Sequence, residues 1–591
     1  MSASDETVDT SGAGGPIDAT VPAAGPATTT GGRALVDALV AHGVDTVFGI
    51  PGTHNLPIYA ALAERGVRHV SPRHEQGAGY AADGHARVSG QPGVVITTSG
   101  PALLNAATAA AQSYSDSVPV LLVSPGVPSH HPARGNGELH EVKDQSGALD
   151  AIVAYSHRVG SVAEIPGAVA EAFAAMTHAR PRPVHLEIPL DLLAATAPAA
   201  PVTPIPRPRI SAAPTELAAA ATALTRSRRP VLIVGGGARG AAPQVRALAE
   251  HLGAPVVTST NGKGVMPEDH PLAVGAGLHH RAVVDLVADA DVIVAVGTEL
   301  APADVWEPLD LDDRTIRVDV DPAQTQRNAR PRVALVGDAA GTVDDLLHHL
   351  GAEVATTPPG IVDDLRHNLG AGVATAPAGT GAIDGAALER ASAWRDRHQA
   401  DAREQGATWL GLLDVLHVHL GRDGIVVGDS TMACYYGALS NLPAYHPGAF
   451  LYPTGLGTLG YAVPAATGAK LARPDLRVLA LSGDGGLLFT LAELAAAAEL
   501  ELALPIVVVD NGGYGEIERE MHARDQPLVG VALGRPDLPT VARGLGCHGH
   551  DLSSLAELPD ALETAFGAAR PTLLRIPEAL CGRPDDARPR P

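Results

Sequence analysis

From about Gly32 to about Leu193 the chain alternates between two kinds of hydrophobic pattern. Short apolar runs, among them DTVFGI, GVVITTS, VPVLLVS and PVHLEIP, lack a regular polar face and read as strands buried on both sides. Between them lie Ala-rich stretches such as ALVDALVAHGV, whose apolar residues recur at helical spacing. This alternation predicts a parallel sheet covered by helices on both faces. The pattern returns twice. RPVLIVGGG, APVVTS, DVIVAVG and RTIRVDVD predict a second sheet, and GIVVGD, RVLALSGDGG, LPIVVVDNGG and PTLLRIP a third.

Segments without such patterning mark the boundaries. The expected order is a disordered tail over 1–31, a first domain over 32–195 and a Pro-rich linker over 196–210. A central domain over 211–350, a flexible linker over 351–385, a third domain over 386–580 and a tail over 581–591 complete it. The second linker carries an approximate repeat, HHLGAEVATTPPG against HNLGAGVATAPAG. The fold class is α/β, with three consecutive doubly wound parallel-sheet domains. A length of 591 residues agrees, since one hydrophobic core cannot serve so long a chain.

Charge and cysteine usage narrow the function. A formal net charge of -23 argues against nucleic acid or an anionic membrane surface as partner. Cys434, Cys547 and Cys581 form no CxxC pair and no disulfide framework, so a reducing cytoplasm is the simplest compartment. The N-terminus carries Asp5, Glu6, Asp9 and Asp18 and has the pattern of neither a secretory signal nor a transit peptide. No apolar run suits a membrane span.

The densest chemistry lies in LALSGDGGLLFTLAELAAAAELELALPIVVVDNGGYGEI. One predicted strand ends in Gly483-Asp484-Gly485, and a helix of about one and a half dozen residues is expected to follow. A second strand ends at Asp510-Asn511-Gly512-Gly513. A crossover helix brings both strand ends to the same carboxyl edge of a parallel sheet, where ligands bind. Mg²⁺ takes hard oxygen ligands and is usually shared with phosphates. Asp484 and Asn511 each offer a side-chain oxygen, and the carbonyl of Gly513 a third. The glycines let a diphosphate approach the backbone, and a helix start after Gly485 favours an anion. Gly-Asp-Gly alone is also a common strand-to-helix turn. Its pairing with Asn511 and a glycine-rich turn, after the 25 residues Gly486 to Asp510, is more specific.

With that pairing the chain resembles the thiamine-diphosphate-dependent acetolactate synthase and 2-oxo-acid decarboxylase superfamily over roughly residues 32 to 578. The resemblance implies that the three domains bind the pyrimidine, act as a Rossmann-like centre, and bind the diphosphate with Mg²⁺. The family often has two asparagines before the turn, and here the first is Asp510. RHVSPRHEQGAGYAADGHARVSG supplies the family's glutamate as Glu75. A carboxyl group bonded to the aminopyrimidine favours the imino tautomer that removes the C2 proton, so Glu75 is expected to be buried in the cofactor pocket. The alternative is an ordinary helix N-terminal Glu. In YPTGLGTLGYAVPAATGAKLA, Leu459 matches the aliphatic residue beneath the cofactor, and the Gly457 carbonyl matches the acceptor for its 4′-amino group. Upstream, GDSTMACYY closes another strand at the same edge. The resemblance also implies a homodimer or homotetramer with active sites between subunits.

The resemblance places a C2 carbanion, loss of CO₂ and an enamine in the reaction. Protonation of the enamine gives an aldehyde, and ligation to a second oxo acid an acetohydroxy acid. Acetolactate synthases carry FAD on the central domain, but GAGLHHRAVVDL and GTELAPAD depart from their flavin segments, so FAD is not expected. In GNGELHEVKDQ, His140 stands where those enzymes have Gln, and a His relays protons near neutral pH. In GEIEREMHARD, Glu516, Glu518 and Glu520 replace apolar residues and a Trp, and a compact acidic cluster is expected. Such a cluster is either a solvated helix face or a pocket for a cationic side chain. SPRHEQGAGY, LHEVKDQ, RPRPVHLEIPLD and NGGYGEI resemble the 5-guanidino-2-oxopentanoate decarboxylases. The expected function is therefore decarboxylation of a small 2-oxo acid. An acetolactate-synthase-type carboligase and a catalytically silent cofactor-binding homologue are the alternatives, and a dehydrogenase is disfavoured by the weak middle-domain glycine pattern.

Overall fold

A computed structural model describes residues 28–132, 135–352 and 383–583. Most of the two expected tails, and the repeat-bearing linker over 351–385 apart from its ends, lie outside the described residues. Three six-stranded sheets follow one another along the chain, and every pairing within them is parallel. The first runs Arg68–Val70, Thr46–Gly49, Gly93–Ile96, Val120–Gly126, Val184–Pro189, Ser156–Arg158. The second runs Ala273–Ala276, Val256–Thr258, Pro230–Val234, Val292–Val296, Thr315–Asp319, Val333–Val336. The third runs Phe450–Leu451, Ile425–Gly428, Val478–Gly483, Pro505–Asp510, Thr572–Pro577, His548–Asp551. The first and third sheets thus share one strand order. In each, the order reverses beside the first strand of the domain, and such reversals open ligand crevices at the carboxyl edge. The apolar runs are as buried as their patterns predict: Val478–Gly483 and Pro505–Asp510 have no exposed position.

Two local features differ from the sequence expectation. Regular structure is already present at Thr28, ahead of the expected start near Gly32. The strand Thr28–Thr30 pairs antiparallel with Thr196–Pro198, inside the expected linker, and closes the first domain. Gly31 permits this, because a Cβ there would collide with the Leu192 carbonyl. The single crossover helix expected after Gly485 is replaced by three short pieces: Asp484–Leu487, Leu488–Thr490 and Glu493–Glu499. The Thr490 hydroxyl donates to the Gly460 carbonyl at 2.7 Å, and this tertiary bond falls where the helix breaks.

The first and third domains pack through two antiparallel helices, Glu75–Ser89 and Ala462–Ala472. Gly84 lies against the Ala465 carbonyl and Gly468 against that of Ala81, with no room for a Cβ at either glycine. Tyr461 Oη donates to Asp83 at 2.6 Å. Arg87 donates to Asp83 and Asp116, each at 2.7 Å, and to Asn261 of the central domain at 2.9 Å. These charges are buried, and full bonding offsets their desolvation.

Candidate cofactor site

The third sheet assembles the diphosphate and metal motif. Gly483 and Val509 are register partners, so Asp484 and Asn511 follow the ends of adjacent strands. Asp484 Oδ2 accepts the Gly512 amide at 3.2 Å, and Asn511 Oδ1 accepts that of Gly513 at 3.2 Å. Gly512 has φ +81, and a Cβ there would collide with Arg535. Burial, and then the neighbouring Asp510, raise the Asp484 carboxyl above its ordinary value. Asp510 is held by Arg575 Nε at 2.5 Å, so the departure at this position comes with its own counter-ion. Among the described residues no group of three or more His, Cys, Asp or Glu is arranged to hold a metal. A site with Asp484, Asn511 and the Gly513 carbonyl therefore fits an ion that takes its other oxygens from a diphosphate and water. Because Asp484–Leu487 is a single turn, an anion after Gly485 meets backbone N–H groups rather than a long helix dipole.

A residue that the sequence alone did not single out holds the neighbouring turn. Asp429 follows the strand Ile425–Gly428 and is 1% exposed. Its carboxylate accepts the amides of Ser430 at 2.8 Å, Gly460 at 3.0 Å and Ala462 at 3.4 Å, and the Ser482 hydroxyl at 3.2 Å. The turn carrying Gly457 (φ +69) and half-buried Leu459 is thereby tied to the strand end. The only hint in the sequence was an Asp directly after a predicted strand in GDSTMACYY.

On the first domain, Glu75 begins its helix and is half-buried. Its Oε2 accepts Asn105 Nδ2 at 2.9 Å. Burial, and then Glu75, raise the Tyr59 phenol well above its ordinary value. His140 sits in a loop with φ +64, and its carbonyl leaves no room for a Cβ at Gly100, the residue before the helix Pro101–Ser115. Its ring lies 5.0 Å from that of His54, whose Nδ1 is 2.6 Å from Ser99 Oγ. Burial, and then His140, push the His54 imidazole below its ordinary value. Asn105 joins this edge only through the fold, whereas His54 lies in GIPGTHNLPIYAAL, a further segment whose wording resembles the guanidino-acid decarboxylases.

The expected compact acidic cluster does not form. Residues two apart on a helix point about 200° apart, so the helix Gly515–Ala523 turns Glu518 away from Glu516, while Glu520, four residues on, stays on the Glu516 face and its charge also reaches Tyr436. Glu518 faces His522 at 4.0 Å, and Glu520 pairs with Arg524 at 2.6 Å. Glu516 turns inward. Its Oε1 accepts the Tyr436 hydroxyl at 3.0 Å and Arg519 at 2.6 Å, while Oε2 is buried beside Tyr435. Burial, and then Glu516, push the Tyr436 phenol up to about 12. The Arg519 guanidinium lies over the Tyr436 ring, 4.7 Å from its centre.

Within one chain the two halves of the site face opposite ways. Tyr461, at the carboxyl edge of the third sheet, meets Asp83 and lies beside Arg87, near the far end of the Glu75 helix. Glu75 therefore stands about 20 Å along the helix axis from that edge, at 1.5 Å per residue. Asp484, Asn511, Gly513, Gly457, Leu459 and Glu516 share one edge, and Glu75 and His140 share the other.

Known proteins match this architecture domain by domain. Residues 29–148 match the N-terminal TPP binding domain of thiamine pyrophosphate enzymes, 217–350 their central domain, and 427–576 their C-terminal TPP binding domain. A probable 2-ketoarginine decarboxylase of Pseudomonas aeruginosa is 41% identical over 94% of this chain and 95% of its own length. A probable acetolactate synthase large subunit of Methanocaldococcus jannaschii is 32% identical over 92% of this chain and 91% of its own. The Escherichia coli acetolactate synthase isozyme 2 large subunit is 31% identical over 92% and 95%. The chain, with its three parallel-sheet domains, belongs to the thiamine pyrophosphate enzyme family.

Proposed function

We propose that this protein decarboxylates a 2-oxo acid bearing a guanidino group, of the 5-guanidino-2-oxopentanoate type, with thiamine diphosphate and Mg²⁺. The observation that carries the substrate reading is Glu516, an inward-facing carboxylate between Tyr435, Tyr436 and Arg519, five residues beyond Asn511. Carboxylate with an aromatic face is the pairing a guanidinium prefers. Arg519 already rests on Tyr436 and Glu516 in this way. The relative named as a 2-ketoarginine decarboxylase supports the same substrate class.

Bound thiamine diphosphate supplies the electron sink that loss of CO₂ requires. Asp484, Asn511 and the Gly513 carbonyl hold the Mg²⁺, and Gly483, Gly485 and Gly486 admit the diphosphate. Glu75, oriented by Asn105, holds the proton at the pyrimidine nitrogen. The Gly457 carbonyl would accept the exocyclic amine, and Leu459 would supply an apolar side chain against the cofactor. His140 and His54 carry protons to and from the substrate carbon. Glu516 selects the cationic tail, while Glu518 faces the other way and Glu520 is paired with Arg524.

The opposed edges support a homodimer, with Glu75 of one copy completing the diphosphate site of the other. Exposed apolar side chains stand on both edges: Leu104 and Leu139 on one, Phe489 and Ile517 on the other.

The test is CO₂ release from 5-guanidino-2-oxopentanoate and from pyruvate in parallel, with thiamine diphosphate and Mg²⁺ and without FAD. Release from the guanidino acid, with the matching aldehyde as product, is expected. Acetolactate formed from pyruvate moves the protein to the carboligases, and no turnover with either acid defeats the enzymatic reading.

A further inference from the structure

The helix Glu493–Glu499 brings a carboxylate across the interface to the first domain. Glu493 is 3% exposed, and its Oε1 accepts the amides of Arg73 at 3.0 Å and His74 at 2.9 Å. These are the two residues directly before Glu75, and His74 is the N-cap of its helix. Room for the carboxyl is provided at Gly77, where any Cβ would collide with it. The same short segment is tied a second time, by Arg73 to Glu499. Helix starts carry amides without intrahelical partners, and these are usually capped from their own chain neighbours. Here two amides at the helix entry are capped by a residue more than four hundred positions away, on the segment that leaves the Asp484 turn.

We propose that Glu493 is a positioning residue for the cofactor-activating glutamate, acting through the backbone of Arg73 and His74. Glu493 touches neither cofactor nor substrate. It fixes the backbone from which Glu75 projects, and Asn105 then orients the carboxyl itself. A small displacement of a positioned acid lowers turnover far more than it lowers ground-state binding. The charged and titratable groups facing Glu493 are Arg73 and His74 in the loop and Glu75 on the helix; Glu499, six residues further on its own helix, pairs with Arg73. Burial raises the Glu493 carboxyl to about 7, so its two amide bonds strengthen as it ionises across neutral pH.

This inference rests on the proposed role of Glu75, and the experiment separates the two. Glu493→Gln keeps an acceptor of the same shape, and Glu493→Ala removes it. Amide hydrogen exchange of the cofactor-free chain reads the clamp directly. Slow exchange at Arg73 and His74 is expected in the wild type and in E493Q, and fast exchange in E493A. In the loaded enzyme, E493A is expected to lose turnover by about tenfold or more while cofactor affinity and KM move by less than about threefold. E493Q is expected to restore most of the turnover. Unchanged exchange and turnover in E493A overturn the proposal. Equal losses in both variants with a lowered Tm also overturn it, because the contribution is then structural. A wild type without thiamine-dependent turnover defeats the functional reading, while the exchange pattern still decides the clamp.

Discussion

Glu516 accepts the Tyr436 hydroxyl at 3.0 Å, which joins the helix after the metal turn to the π-helical segment Ala433–Ala438. On the proposed reading, this carboxylate is what a cationic substrate tail meets. Glu516→Gln keeps the shape and the acceptor for Tyr436 but removes the charge. The expected result is a fall of about 10- to 100-fold in kcat/KM for the guanidino acid, with little change for pyruvate. Parallel kinetics on the two acids check it, and equal losses on both would count against charge recognition.

Glu75→Gln and Asp484→Ala are expected to fail differently. E75Q abolishes turnover but leaves Mg²⁺-dependent cofactor binding largely intact, since the diphosphate site is untouched. D484A loses that binding. Quenching of tryptophan fluorescence on titration with thiamine diphosphate and Mg²⁺ distinguishes the two.

Mixing those two inactive variants tests the arrangement between copies. If Glu75 serves the partner's diphosphate site, a heterodimer has one site with both residues intact. Random exchange of subunits then returns up to about a quarter of wild-type activity. If each chain completes its own site, the mixture stays inactive.

Asp510 and Arg575 form a pair beside Asp484, 2.5 Å apart, with the aspartate almost fully buried. Arg575→Ala leaves that carboxylate buried without its partner. A loss of about 3 kcal/mol in stability is expected, measured by denaturant unfolding of the third domain's signal. Asp510→Asn restores the two-asparagine wording of the family and is expected to keep Mg²⁺ binding.

Three buried histidines predict a stability loss on mild acidification. Burial holds His398 down to about 4, His185 to about 3 and His280 to about 2. His398 Nε2 is 3.0 Å from the Ala276 carbonyl, and His185 lies between Ser124 and Ser156 at 2.8 and 2.7 Å. Their folded values lie below the unfolded value of 6.5. The unfolded chain therefore binds more protons below that pH, and the folded state is at full advantage above it. Stability falls as pH drops from about 6.5 towards 4, by up to about 1.4 kcal/mol per histidine per pH unit. Tm measured between pH 7 and 5 checks the slope, which His398→Gln is expected to reduce.

The fold class was legible because a strand buried on both faces leaves a continuous apolar run, as in LPIVVVD, and adjacent helices leave a different period. The strand-end positions proposed for the metal were legible for a related reason. Asp484, Asn511 and Gly513 lie at the ends of such strands, so their spacing follows from strand and crossover length. Other features depended on contacts between segments remote in sequence. Asp429 gathers amides from Gly460 and Ala462, and Glu493 caps a helix in another domain. Nothing in the local pattern around either residue records those partners. The broken crossover came from Thr490 bonding Gly460, although the stretch itself is Ala- and Leu-rich and favours one helix. The separation of Glu516 from Glu518 follows from helix geometry, but its inward direction depends on Tyr436.

The sequence by itself determined three parallel-sheet domains, the cofactor class and the residues that stand at strand ends, because strand burial and backbone turns are local demands on residue type. The tertiary structure alone decided which edges face one another, which carboxylate of Gly515–Ala523 meets Tyr436 and which residue caps the amides before Glu75. Those depend on the antiparallel seating of Glu75–Ser89 against Ala462–Ala472, where glycines and one buried Arg–Asp network set the direction of packing. Such long-range complementarity arises only when distant surfaces meet, and no period along the chain encodes it.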